Sequence, residues 1–192
     1  VERVVWSGDG WRHQQVALAS DGSLALQATC GLPPALEGEL LALDLLQPHL
    51  PLPAGWCTEL HTGCPGWLRS AASALSEGWL LVVDYALEAR RYYAPHRSAG
   101  TLLAYRNQLA SPDPLRDPGH WDLTAHLCLE SLERDALQSG WSWIGSCRQG
   151  QALLALGLAQ ALHQLQDPRQ AADLAERLAQ REALLRLGDR KS

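Results

Sequence analysis

The chain has 192 residues, of which 46% are hydrophobic and 19% are charged, a composition typical of a globular protein with a substantial core. The formal net charge of −5 argues against non-specific binding to nucleic acid or to an anionic membrane, because both favour basic surfaces. No apolar run approaches the ~20 residues that a helix needs to span a bilayer.

The number of cysteines indicates the cellular compartment, and the first residue indicates whether the chain is part of a longer protein. Five cysteines make an odd number without the spacing of a disulfide framework, which predicts reduced thiols in a cytoplasmic protein. The first residues do not have the pattern of a signal peptide, so none is expected. Because methionine is absent and the chain starts at Val1 inside what reads as a strand, we expect it to be part of a longer protein.

The first predicted elements form a small antiparallel meander. Residues 1–6, 11–19 and 24–28 are rich in strand-forming side chains. Residues 7–10 and 20–23 separate them and contain the glycine and aspartate that tolerate positive φ in turns.

A leucine-rich segment follows the meander. It predicts a helix over residues 35–46, and the prolines that come next enforce an extended linker up to Pro53. Residues 56–60 are predicted as a short strand. Pro65 suits the first turn of a helix that continues to about residue 75.

The most informative part of the sequence runs from residue 78 to residue 126. An apolar run ending in Asp84 and Tyr85 predicts a strand over residues 78–84, and open α/β sheets build ligand crevices where such strands end. Residues 86–121 show little periodicity and predict a long, ordered loop. Because further polar clusters follow at residues 100–101 and 120–126, we expect several loops to meet at one mouth.

The remaining elements complete an α/β pattern. They are a helix that Asp122 or Thr124 caps and that ends near Ser139, a strand over residues 141–147, a helix over residues 149–166, and a last helix that starts at Asp167-Pro168. The α/β class is typified by this order of elements: helix, strand, loop, helix, strand and helix. Two strands do not complete a sheet, so we expect the missing strands upstream of Val1.

Two pairs of residues carry candidate chemistry, each with a simpler alternative. Asp84, at a strand end beside Tyr85, could accept hydrogen bonds from a ligand, or could instead cap a helix or bind loop amides. Asp122 and His126, four residues apart across a predicted helix start, could form a carboxylate-oriented imidazole. The residues alone favour the alternative for this pair, an N-cap aspartate with a surface histidine.

Other motifs are weak or absent. Cys57, His61 and Cys64 suggest zinc, but their spacing is not the usual paired arrangement and no second pair follows, so buried thiols and a loop histidine are favoured over a metal site. The sequence has no G-x-S-x-G, G-x-G-x-x-G or P-loop motif. Its eight tryptophans and four tyrosines lack an interleaved basic stripe and indicate core and loop anchors.

Several motifs in order nevertheless resemble one family. They are Gly78-Trp79-Leu80-Leu81-Val82-Val83-Asp84-Tyr85, Gly100-Thr101-Leu102-Leu103-Ala104-Tyr105, Asp113-Pro114-Leu115 leading to Pro118-Gly119, Asp122-Leu123-Thr124-Ala125-His126, and Gln149 with Leu153-Leu154-Ala155-Leu156-Gly157-Leu158. In order and spacing these motifs resemble the C-terminal part of the MidA-like S-adenosylmethionine-dependent methyltransferases, which include mitochondrial complex I assembly factors. Residues 1–6 and Gly10-Trp11 resemble the hairpin after the family's Asn-Glu-Leu-Leu-Asp strand.

The resemblance implies both a fold and a reaction. It implies that residues 1–192 are the C-terminal portion of a Rossmann-like methyltransferase domain, with an inserted meander and helix over residues 1–60 and the last strands and helices over residues 61–192. It implies methyl transfer from S-adenosylmethionine, in characterised relatives to a protein arginine. The family's glycine-rich cofactor loop would precede Val1, so the isolated chain is expected to lack activity.

The resemblance also implies a set of site residues without a metal. Methyl transfer is an in-line displacement that needs alignment, and a guanidine acceptor must present a lone pair, so acidic and hydrogen-bonding groups are expected near the sulfonium. The implied catalytic residues are Asp84, Asp122 and His126, and the implied substrate-binding residues are Tyr85, Gly100, Thr101, Tyr105 and Gln149. Two departures affect the shape of the pocket: Ala86 replaces a family glycine, and Cys128-Leu129 replaces a family aromatic.

The partners follow from the same resemblance. It implies a protein substrate, with a subunit of respiratory complex I as the candidate. The net charge and the absence of a long apolar run separately argue against nucleic acid and a membrane span. An exposed half-domain surface would favour a homodimer. The alternative is a non-catalytic interaction or assembly module derived from the same fold, in which the loop over residues 86–121 and the two leucine-rich terminal helices bind a partner.

Overall fold

The computed structural model describes residues 1–47, 51–165 and 174–188. The chain divides into two compact units, Val1–Trp143 and Ile144–Ser192. Within the described residues, the first unit contains a four-stranded, a three-stranded and a two-stranded sheet with four helices, and the second contains three helices.

A four-stranded antiparallel sheet forms the body of the first unit. Its strands are β1 (Glu2–Trp6), β2 (Trp11–Leu18), β3 (Leu24–Ala28) and β4 (Cys57–Leu60), in the order β3-β2-β1-β4. The predicted meander and the predicted strand over residues 56–60 are therefore both present. Gly22 takes φ 82° in the turn between β2 and β3, as the turn chemistry predicts.

The helix α1 (Pro34–Ala42) covers one face of this sheet. Its Leu36 and Leu40 are buried in one cluster with the tryptophans Trp11 and Trp56. The helix ends earlier than the predicted range of 35–46. Asp44 takes φ 57°, a left-handed conformation that stops a right-handed helix.

A second, smaller core joins α2 (Cys64–Ser73) to α4 (Leu129–Gln138). Leu68 of α2 packs with Leu132 and Ala136 of α4, and the Trp141 Nε1 donates a hydrogen bond to the Leu68 carbonyl at 3.0 Å. Pro65 opens α2 as predicted. The predicted helix start at residue 122 or 124 is wrong, because α4 begins only at Leu129.

The two strands predicted for the α/β sheet are wrong within the described residues. Residues 78–84 and 141–147 form no strand there, and the parallel pairing is instead between β5 (Ala86–Leu87) and β9 (Leu127–Cys128). An apolar segment becomes a strand only when a neighbour takes its backbone hydrogen bonds. The Leu81 side chain is accordingly 84% exposed.

The predicted long loop over residues 86–121 is also wrong. It holds short elements: the two-residue β5, the helix α3 (Ala89–Tyr92), and the strands β6 (Leu103–Arg106) and β7 (Leu109–Ser111). With β8 (Asp122–Thr124), β6 and β7 form a three-stranded antiparallel sheet in the order β7-β6-β8. Elements of two to four residues are too short to show periodicity.

The turn between β6 and β7 follows a known rule. Asn107 and Gln108 take φ 49° and φ 65°, and two-residue hairpin turns of type I′ need positive φ at both positions. Asn107 suits the first position, whereas Gln108 has no such preference. Only one of the two turn residues, Asn107, could therefore have indicated this hairpin in the sequence.

The second unit is helical where it is described. It contains α5 (Gln149–Ala155), α6 (Leu158–Gln164) and α7 (Leu174–Gly188). The predicted helix over residues 149–166 is interrupted at Gly157, which takes φ 94°. Residue 166 and the predicted helix start at Asp167-Pro168 lie outside the described residues. Across the described residues, no helix is both long and apolar enough to cross a membrane.

Candidate functional site

A buried carboxylate on β4 lies at the centre of the candidate site. All four residues of β4 are buried, and the Glu59 side chain has an exposure of 0%. A charged group without partners in such a place would cost several kcal/mol of folding free energy. The partners of Glu59 therefore decide how this part of the chain folds.

The carboxylate of Glu59 ties a distant turn to the sheet. Its Oε2 accepts a hydrogen bond from the Thr101 backbone N–H at 2.7 Å and another from the Thr101 hydroxyl at 3.1 Å. The Tyr92 hydroxyl donates to the same oxygen at 3.4 Å. Arg3 Nε lies 3.9 Å from Oε1 and supplies the compensating charge.

Gly100 lets the turn come this close. It takes φ 74°, and a Cβ atom added there would collide with Glu59 Oε1 and lie 2.7 Å from Oε2. Side chains disfavour such a φ, and real Cβ atoms do not approach heavy atoms so closely. Glycine is thus required at this position for two separate reasons.

Thr101 connects this turn to a third segment of the chain. Its Oγ1 accepts a hydrogen bond from the His126 backbone N–H at 3.1 Å. The His126 ring lies 5.9 Å, centroid to centroid, from the ring of Tyr85. The structure thus brings together Tyr85, Thr101 and His126 from three predicted motifs. We call these three residues the mouth of the candidate site. Asp84 is exposed beside them, and its Oδ1 accepts from the Tyr85 N–H at 2.7 Å.

A second histidine lies deeper in the same region. His61 is 4% exposed, and its ring stands edge-on to Tyr92 with 5.7 Å between the centroids. Within the described residues, His61 Nε2 and His126 Nδ1 are both buried without a hydrogen-bond partner. Burial lowers the pKa of His61, and burial followed by the nearby Arg97 charge lowers the pKa of His126. Both imidazoles are therefore neutral at neutral pH.

These lowered pKa values predict that acid destabilises the protein. Above the ordinary histidine pKa of 6.5, His61 is neutral both folded and unfolded. As the pH falls below 6.5, the unfolded chain takes up a proton that folded His61 resists, so the free energy of unfolding falls until the lower, folded pKa is reached. For each such proton, the slope is at most about 1.4 kcal/mol per pH unit. Urea unfolding at about pH 7.5 and about pH 5.5 measures this loss.

Two variants identify the histidine responsible. His61→Gln should reduce the difference between the two pH values, whereas His120→Gln, at an exposed histidine, should leave it as in wild type. An unchanged pH dependence in His61→Gln would contradict the assignment.

The other predicted site residues lie elsewhere. Tyr105 and Asp122 face each other across β6 and β8, and both are exposed. The residues alone did not favour a pairing of Asp122 with His126, and the structure shows none: Asp122 lies on β8 and His126 Nδ1 has no hydrogen-bond partner within the described residues. The favoured alternative is wrong as well, because no helix starts at Asp122. Gln149 opens α5 in the second unit, where its Nε2 donates to the Leu187 carbonyl at 3.0 Å.

Glu59 and Tyr92 were not among the predicted site residues, and His61 was predicted only as a possible metal ligand. A charged residue in the middle of a predicted strand is a usable signal, because Glu59 needs buried partners wherever both faces of that strand are covered. Cys57 instead accepts a hydrogen bond from Arg3 Nη2 at 2.9 Å. In the part of the chain that the structure describes, no three His, Cys, Asp or Glu residues are placed to hold a metal ion.

Comparison with known proteins identifies the class of protein. A family model described as "Putative S-adenosyl-L-methionine-dependent methyltransferase" matches residues 1–147 of the 192. The chain belongs to this family of S-adenosylmethionine-dependent methyltransferases. No curated protein gave a significant match.

Two crystal structures from Burkholderia thailandensis share the fold. The first, described as a "likely methyl transferase" bound to S-adenosyl-homocysteine, matches with a TM-score of 0.79 at 21% identity, over 97% of this chain and 44% of that one. The second, a native structure of an uncharacterized protein of the same superfamily, matches with a TM-score of 0.77 at 22% identity, over 97% and 46%. The chain thus spans less than half the length of these solved structures, and its fold is of their mixed α/β type.

Proposed function

We propose that this chain forms the acceptor side of an S-adenosylmethionine-dependent methyltransferase that modifies an arginine side chain of a protein. In this proposal the chain is the C-terminal portion of a Rossmann-like domain, with residues 1–60 as an insertion. The observation that carries it is the meeting of Tyr85, Thr101 and His126 at one mouth, fixed by a buried carboxylate. Family membership supports the cofactor.

The turn at Gly100 does not itself fit the cofactor. Binding its nucleoside calls for free backbone amides in a glycine-rich turn and an acid for the ribose hydroxyls. The glycine turn at the mouth offers no such amide, because the Thr101 N–H already donates to Glu59. The residues of this turn are therefore assigned to the acceptor side and not to the cofactor.

The acceptor side has a clear chemical task. An arginine side chain is positively charged, and a guanidinium nitrogen has no free lone pair until a proton leaves. The exposed Asp84 carboxylate can hold the guanidinium in place. As the nitrogen forms its bond to the methyl group and the methyl–sulfur bond breaks, the nitrogen loses a proton, which the neutral imidazole of His126 would accept. Tyr85 would form one wall, while Asp122 and Tyr105 would lie at the outer rim.

A transfer assay tests this proposal. The protein at its full natural length is given S-adenosylmethionine with a labelled methyl group and a peptide containing either arginine or lysine as its single acceptor. Label should enter the arginine peptide alone. Asp84→Asn should lower the rate by about 100-fold, as expected for loss of a proton-handling or orienting group.

The control is Glu133→Gln, which removes an exposed carboxylate on α4 and should react at the wild-type rate. Wild-type rates in both Asp84→Asn and Asp122→Asn would contradict the assigned roles. If the protein binds S-adenosylmethionine but transfers no methyl group to the arginine peptide, arginine is not the acceptor.

A second function, a non-catalytic interaction or assembly module, is favoured by one observation. Trp79, Leu81 and Val83 are 82%, 84% and 70% exposed along one extended segment, and large exposed apolar groups in a row mark interaction surfaces. A complex I subunit or a second copy of the chain would be the partner. Calorimetric titration of S-adenosylmethionine into the full-length protein separates the two functions, because the module predicts no binding.

A further inference from the structure

The placement of β4 gives Glu59 access to two different parts of the fold. On one side β4 pairs with β1, so that Glu59 stands opposite Arg3. On the other side the Cys57 N–H donates to the Ser98 carbonyl at 2.9 Å, which brings the segment before Gly100 alongside the strand. The carboxylate therefore lies between the sheet and the turn of the mouth.

The charge on Glu59 also decides the direction of a neighbouring hydrogen bond. An ionised carboxylate only accepts, so the single hydroxyl proton of Thr101 points to Glu59 Oε2. The lone pairs of Thr101 Oγ1 are then free to accept from the His126 N–H. The Tyr92 hydroxyl lies 3.0 Å from Thr101 Oγ1 and 3.4 Å from Glu59 Oε2, so its single proton is shared between these two oxygens. A neutral amide in place of Glu59 could donate to Thr101 instead and would no longer enforce this direction.

We infer that Glu59 is a positioning residue for the acceptor side of the site: it holds the Gly100-Thr101 turn and, through the Thr101 hydroxyl, sets the backbone at His126. Glu59 is fully buried and does not touch the substrate. The inference rests on the proposed function for its effect on methyl transfer, but the coupling from Glu59 to His126 is a property of the folded chain and can be measured without activity.

The first measurement is hydrogen exchange at the His126 amide, followed by NMR. Glu59→Ala and Thr101→Val should each accelerate this exchange by about tenfold relative to amides in β2, the effect of losing one hydrogen bond. The double variant should show no further acceleration, because both changes act on the same bond. Thr101→Ser keeps the hydroxyl and should restore the wild-type rate. Should Glu59→Ala fail to fold, Glu59→Gln replaces it, with a smaller acceleration expected.

The matched control is Glu39→Gln. Glu39 forms a partly buried ion pair with Arg134 at 2.8 Å, which joins α1 to α4 and does not touch the turn at Gly100. This change should lower overall stability and leave the relative His126 exchange rate unaltered. An unaltered His126 rate in Thr101→Val and in Glu59→Ala (or in Glu59→Gln where that variant replaces it), or an equal acceleration in Glu39→Gln, would overturn the inference.

The second measurement uses the full-length protein, labelled S-adenosylmethionine and the arginine peptide. Glu59→Gln and Thr101→Val should raise KM for the peptide several-fold and leave the Kd for S-adenosylmethionine unchanged, while Glu39→Gln and Thr101→Ser should keep the wild-type KM. A general loss of structure would instead lower the active fraction without a selective change in KM. If wild type transfers no methyl group, the proposed function fails, and the exchange rates still decide the role of Glu59.

Discussion

Replacing Gly100 by alanine is expected to lower the free energy of unfolding by about 2–4 kcal/mol. The added Cβ would meet the carboxylate of Glu59 at a backbone φ of 74°. Strain at positive φ accounts for about 1 kcal/mol of this loss, and the collision accounts for the remainder. Urea unfolding followed by tryptophan fluorescence measures the change.

The collision has no easy relief. Glu59 could move away only by giving up its two buried hydrogen bonds from Thr101 and its position beside Arg3. The turn could retreat only by releasing the His126 N–H from Thr101 Oγ1. We therefore expect Gly100→Ala to disturb the mouth of the candidate site as well as the stability of the first unit.

Gly22→Ala separates the two causes. Gly22 takes φ 82°, close to that of Gly100, but an added Cβ there meets nothing within 4 Å. This control should lose only about 1 kcal/mol. Equal losses in Gly22→Ala and Gly100→Ala would show that backbone strain alone is responsible and that the close approach to Glu59 does not matter.

Replacing Trp56 by alanine is expected to cost about 3–5 kcal/mol, enough to unfold much of a marginally stable domain. The side chain is 1% exposed and packs edge-on against Trp11 with 5.8 Å between the ring centroids. Its Nε1 donates to the Pro95 carbonyl at 3.0 Å. Trp56 thus joins the core under the sheet to the segment that leads to Gly100.

One further variant separates the hydrogen bond of Trp56 from its packing, and another is a control at an exposed tryptophan. Trp56→Phe keeps most of the ring but removes the donor to Pro95, and should cost about 1–3 kcal/mol. Trp79→Ala removes a side chain that is 82% exposed and should change stability by no more than about 0.5 kcal/mol. Denaturation midpoints of the three variants, measured together, check the order. A loss at Trp79 as large as at Trp56 would contradict the burial of these two residues.

Local chemistry was enough to predict several elements. The meander over β1–β3 depends on turn residues such as Gly22, and the start of α2 depends on the fixed φ of Pro65, so both could be read without knowledge of the rest of the chain. The end of α4 could also be predicted from a nearby residue, because Gly140 follows it and takes φ 89°. In each case the cause lies within a few residues of its effect.

Long-range pairing could not be predicted in the same way. Residues 78–84 have the apolar pattern of a strand, but a strand also needs a neighbour for its backbone groups, and within the described residues β5 takes the pairing instead. The strand β8 was mistaken for a helix start because Asp122 suits an N-cap equally well. Only its pairing with β6 decides between the two.

The sequence by itself determined the class of this protein, the turns of its meander, and Tyr85, Thr101 and His126 as residues of interest. The tertiary structure decided that Tyr85 and Thr101 both contact His126 and that Glu59, 42 positions before Thr101, accepts hydrogen bonds from the Thr101 N–H and hydroxyl. The reason is physical: a buried carboxylate must find donors wherever the fold places them, and the sequence spacing of those donors carries no signal.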